Sequence, residues 1–161
     1  MLSFILAASV LIYLAAVWND LFHRSIPNSL SLAIAGFAIL RLAVSAQIDG
    51  IIWTTVTTAI VFAVASFLFA RGWLGGGDVK LVSATVLLVG SQGTPPFLLL
   101  MAMAGGVLSV LVLMWDFAAR SRARRQALTV DAAVSSPPSV PYGVAISFAA
   151  ICTLFPQLYQ H

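Results

Sequence analysis

The chain has 161 residues, of which 61% are hydrophobic and 8% charged, with a mean hydropathy of +1.04. Soluble domains are about a quarter charged, so this composition excludes an ordinary soluble globule and leaves no length for a second, soluble domain. The net charge of +3 comes from eight basic residues at the ends of apolar runs, a placement that sets membrane orientation rather than nucleic-acid binding, and the single Cys152 excludes an internal disulfide or a four-cysteine zinc site.

A membrane-spanning helix needs about 20 mostly apolar residues. Six stretches qualify, which predicts an all-α, polytopic bundle. The first runs from about Leu2 to Trp18. Its start, Met1-Leu2-Ser3-Phe4, lacks the basic region of a cleavable signal, so it reads as a retained helix. The second covers about Pro27 to Ala46 and the third about Ile51 to Ala70. The fourth, Val79 to Gly90 with an extension toward Thr94, is short; it is expected to begin inside the membrane behind a loop partly buried in protein. The fifth covers Pro95 to Trp115 and the sixth Val140 to Gln157. A basic extramembrane loop is expected at about 116–139.

Six spans place the loops Asn19–Ile26, Arg71–Asp78 and Asp116–Ser139 on one side. Seven of the eight basic residues lie in or beside them. The loops Gln47–Gly50 and Ser91–Thr94 on the other side have none, and Arg41, inside the second span, is the exception. The excess of positive charge makes the Arg-rich side cytoplasmic. Trp18, Trp73 and Trp115 near one face and Trp53 near the other resemble an aromatic belt. The cluster from Arg120 to Arg125 suits anionic lipid, and Gly105-Gly106 with Ala102 and Ser109 suggests close helix packing.

All five acids are aspartates. Acids in or near spans are costly, so each is a functional candidate. Asp49 reads as a turn residue in Ile48-Asp49-Gly50. Asp131 reads as a solvated loop charge, and Asp116 as an interfacial partner for the following arginines. Asp20, closing the first span, and Asp78, opening the fourth, stand apart. Two spans separate them, so both return to one face. Two close carboxylates cannot both ionise cheaply and share a proton. The ionised one takes a proton from water as that water attacks a peptide carbonyl, and the protonated one donates to the carbonyl oxygen. This chemistry requires no metal or cofactor. Structural alternatives exist: an ion pair of Asp20 with Arg24, and a helix cap by Asp78 or its pairing with Lys80 or Arg71. Gly75-Gly76-Gly77 tilts the balance, because it lets an extended substrate pass beside the acid. The run fits neither phosphate-loop pattern.

Gly75-Gly76-Gly77-Asp78 resembles the Gly-x-Gly-Asp motif of intramembrane aspartyl proteases. With Val79-Lys80-Leu81 it is similar to the type IV prepilin peptidase form of that motif. Asp20, Arg24 and Ile26-Pro27-Asn28 resemble the other catalytic segment of the same family, and Pro141-Tyr142-Gly143 its Pro-aromatic-Gly element. The resemblance covers essentially the whole chain. It implies Asp20 and Asp78 as the catalytic pair, with Arg24, Pro27, Asn28, Gly75, Gly77 and Lys80 in support. It also implies a multi-pass protein of the bacterial inner membrane that cuts the short basic leader from a prepilin precursor, after a glycine, at the cytoplasmic face. Membrane lipids are its other partners. Asn19-Asp20 and the lack of a Pro-Ala-Leu argue against presenilin-like relatives. The missing four-cysteine insertion points to the short CpaA/TadV-type branch, which processes Flp-type prepilins; archaeal preflagellin peptidases share the short plan. The short loops offer no basis for methyl transfer.

Two rival readings are a small proton-coupled carrier using the same carboxylates as a relay, and a non-catalytic component of a secretion machine. A carrier calls for acids near the bilayer midplane and symmetric halves, and an assembly component gives no reason for two such Asp segments. His23 reads as a solvated interfacial residue, and Asn28 as a cap for the second helix. Lys80 either positions the substrate or reaches to the headgroups.

Overall fold

The computed structural model describes residues 2–23, 27–45, 48–126 and 142–159. Among them it is all-helical: α1 (Leu2–His23), α2 (Asn28–Ser45), α3 (Ile48–Ala70), α4 (Gly76–Gln126) and α5 (Tyr142–Tyr159). Five helices thus stand where six spans were expected. The difference lies in α4, which carries the fourth and fifth expected spans as one element of 51 residues, broken at Gly90 by φ 81° and ψ 173°.

Cross-contacts show that the chain doubles back at Gly90. In the first arm, 76–89, Asp78 lies near Asp20, which is bonded to Val144 at the start of α5. In the second arm, a Cβ on Gly93 would lie 3.2 Å from Gln157 near the end of α5, and one on Gly105 would lie 3.6 Å from Tyr142 at its start. The first arm therefore begins where α5 begins, and the second arm runs antiparallel to α5. Lys80 with Asn28 and Arg41 with Leu88 set α2 parallel to the first arm. The start of α3 meets Ser91, and its end meets Gly76. Successive helical segments thus alternate in direction between an aspartate end and a Gly90 end.

The first arm is the centre of the bundle. Val79, Leu81, Val82, Ala84, Thr85, Val86, Leu88 and Val89 are all buried, against Leu6 and Tyr13 of α1, Ile34 and Ala38 of α2, and Ile146, Ala149 and Leu154 of α5. Tyr13 donates to Thr85 Oγ1 at 2.9 Å inside this core; interhelical bonds of this kind average about 0.6 kcal/mol in membranes. The outer helices expose apolar side chains instead. Val56, Ile60, Phe62, Val64 and Phe67 of α3 all face outward, as do Leu99, Val107, Leu111 and Met114 of the second arm. Ile48–Ala70 and Gly76–Ala119 are long and apolar enough to cross a membrane, yet only 11% of the apolar 18-residue window in each is buried in protein. Helices apolar all round and this little covered require lipid around them. The chain is a membrane protein.

The helix ends have local causes. At the end of α3, Gly72 at φ 73° donates to Phe69 O and Trp73 donates to Leu68 O. This is the Schellman arrangement, which needs a left-handed residue after the helix. At the break in α4, Thr54 Oγ1 accepts the Ser91 N–H at 3.2 Å, and Arg41 donates to the Leu88 carbonyl. The first restores a partner to the new helix start, and the second places a cation on the carbonyl end of the finished arm. Arg41, the exception to the charge rule, is thereby explained.

Several boundaries differ from expectation. Asp49 and Gly50 belong to the first turn of α3 rather than to a free turn, where an acid complements the helix dipole. Helix α1 continues past Trp18 through Asp20. Residues 116–126 of the expected loop continue α4, whereas 127–141, with Asp131, lie outside the described residues. The connection before α4 is not sunk in protein: Arg71, Gly72, Trp73 and Gly75 are exposed, and only Leu74 is half-buried.

Candidate active site

Asp20 sits one turn before the end of α1 and is buried. Its carboxylate accepts the N–H of Val144 at 3.1 Å and that of Gly143. These amides open α5 and have no partner within that helix. The positive end of the α5 dipole further favours an anion there. Asp20 is thus fixed by a helix start 124 residues away in the chain.

Asp78 is the third residue of α4 and is half-buried. Its carboxylate folds back onto the N–H of Gly75, just before the helix. An acidic third residue that reaches back to the cap position satisfies one of the free amides. A Cβ on Gly75 would lie 2.9 Å from Asp78 Oδ2, closer than real contacts allow, and one on Gly76 would lie 3.3 Å from the Phe69 ring. Two of the glycines therefore have a local steric reason: Gly75 admits the Asp78 carboxylate and Gly76 admits α3. Gly77 lies in the same first turn.

The two carboxylates come together at one end of the bundle, near enough for the charge of Asp20 to bear on Asp78. Each keeps lone pairs free beyond its amide contacts. Both carboxylates are therefore anchored by amides at helix starts, with acceptor capacity left over. Among the described residues no group of three His, Cys, Asp or Glu stands together to hold a metal ion.

The supporting residues divide. Lys80 donates to Asn28 Oδ1 at 2.9 Å and ties α4 to α2. Two residues past Asp78, it points to a different side of the helix. Pro27 precedes α2, and its carbonyl accepts the Leu30 N–H at 3.1 Å. Arg24 lies outside the described residues, as does the side chain of His23. Sequence reasoning did not foresee that Gly143 and Val144 hold Asp20. Its only trace was the Pro141-Tyr142-Gly143 segment, noted without a role.

The family model described as the type IV leader peptidase family matches residues 5–110, a span that contains both aspartates and the glycine run. Neither the curated proteins nor the solved structures offer a match. The match covers well over half the chain and both acidic segments that meet in the fold: the protein belongs to the type IV leader peptidase family.

Proposed function

We propose that this protein is a membrane aspartyl endopeptidase, a single membrane-embedded domain that removes the short basic leader from a prepilin of the Flp-like kind. The observation that carries the reading is the meeting of Asp20 and Asp78, each held by backbone amides at a helix start. One carboxylate, ionised, accepts a proton from water as the water oxygen bonds to the scissile carbonyl carbon. The other, protonated, donates to the carbonyl oxygen. The leaving amine then takes a proton as the C–N bond breaks, giving one new carboxyl and one new amino terminus. The amide anchors hold both groups still, so little reorganisation accompanies the reaction.

The excess of arginine and lysine at the end of the chain that holds this pair supports an orientation toward the cytoplasm, in keeping with a substrate that presents its leader there. The family supports a pilin-like precursor as partner. A proton-coupled carrier finds less support, since both acids lie at one end of the bundle rather than midway.

The test is cleavage of a co-expressed prepilin by wild type, Asp20→Asn and Asp78→Asn, with membrane levels measured alongside. Each variant is expected to lose at least about 100-fold in rate while still accumulating. Wild-type cleavage by both would make the acids structural and end the aspartyl reading.

A further inference from the structure

A pocket of about 330 Å³ opens at the aspartate end of the bundle, walled by Trp73, Leu74, Val82, Gly105, Gly106 and Tyr142 among others. Of the small residues on the second α4 arm, Gly105 is buried against the start of α5, in keeping with the close packing its sequence suggested, whereas Gly106 is exposed. A Cβ on Gly105 would meet Tyr142 at 3.6 Å and Ala145 at 3.9 Å, ordinary contact distances, while one on Gly106 would meet nothing within 4 Å. The missing side chain of Gly106 leaves room.

Three walls connect this room to the pair. Leu74 adjoins Gly75, whose N–H holds Asp78. Tyr142 adjoins Gly143, whose N–H holds Asp20. Val82 lies one turn beyond Asp78 on the same helix face. Neighbouring Cα atoms in a peptide are about 3.8 Å apart, so a peptide bond presented to the carboxylates sets a flanking side chain at the pocket mouth. Among the described residues no charged group lines the pocket. It therefore suits an apolar side chain and offers nothing to a basic leader.

We infer that this pocket receives the apolar side chain that follows the scissile bond, and that Gly106 sets the size it accepts. The inference rests on the peptidase reading above. The test uses the full chain in membranes and prepilin substrates carrying Phe, Leu or Ala just after the cut. Wild type is expected to prefer Phe or Leu. In Gly106→Leu the new side chain occupies the pocket, so cleavage of the Phe substrate is expected to fall about tenfold or more while the Ala substrate stays within about twofold. Gly106→Ala, expected to shift the ratio in the same direction by less, replaces it should the larger variant fail to accumulate. Gly36→Leu on α2, where a Cβ also meets nothing within 4 Å, is expected to keep the wild-type profile. An unchanged profile in the Gly106 variants, or an equal loss on all substrates at normal membrane levels, overturns the inference. If Asp20→Asn is inactive in the same assay, the peptidase reading survives that failure. If both Asp→Asn variants cleave normally, the reading itself falls and takes the pocket with it.

Discussion

At Gly75 a single absent methyl group shapes the site. The Asp78 carboxylate occupies the space a Cβ would need, with Oδ2 2.9 Å from it. Gly75→Ala leaves the helix, its first-turn bond from Val79 N–H to Gly75 O and the protein's charge intact, yet it must displace the carboxylate. Misplacing a catalytic group by about 1 Å costs on the order of 100-fold in rate. Cleavage is therefore expected to fall about that much in Gly75→Ala, with membrane levels close to wild type. Wild-type cleavage by this variant would show that the bond to the Gly75 amide does not position Asp78 for the reaction.

Among the elements, α4 carries the main architectural decision. Its first arm is the buried centre of the bundle and brings Asp78 to Asp20, and its second arm returns along α5 only because the backbone turns at Gly90. The conformation there, φ 81° and ψ 173°, is nearly closed to residues with a side chain and costs them about 1–3 kcal/mol. Gly90→Ala meets no serious clash, since its nearest neighbour is Thr54 Oγ1 at 3.6 Å. Its effect is thus conformational. It is expected to destabilise the protein by about 1–3 kcal/mol, read as a lower midpoint of thermal unfolding in detergent. An unchanged midpoint would mean that the reversal does not need the glycine conformation. Thr54 and Arg41 support the same corner by serving the amide of Ser91 and the carbonyl of Leu88.

For the molecule as a whole, the alternating helices place the aspartates and the Arg-rich segments at one end and Asp49 at the other. Orientation is testable with a membrane-impermeant thiol reagent on a Cys152→Ser background. Asp49→Cys and Trp73→Cys both replace exposed residues, one at each end. Asp49→Cys is expected to label in intact cells, and Trp73→Cys only after permeabilisation. The reverse pattern would put the aspartates outside and contradict the charge rule that oriented the chain.

Composition and hydropathy alone determined that this is a helical membrane protein, because apolar runs of spanning length admit few other folds. Both aspartate segments were legible too, since an acid beside a span and a glycine run before an acid are rare enough to stand out. Local sequence could not supply the partners. That Gly143 and Val144 hold Asp20, that Arg41 closes the first arm of α4, and that Gly105 packs on α5 while Gly106 faces open space all depend on contacts between residues far apart in the chain. Hydropathy counts apolar length and is blind to which helix end meets which side chain. Only the tertiary structure, by setting free amides and carbonyls at helix ends against particular acids and bases, decided those pairings.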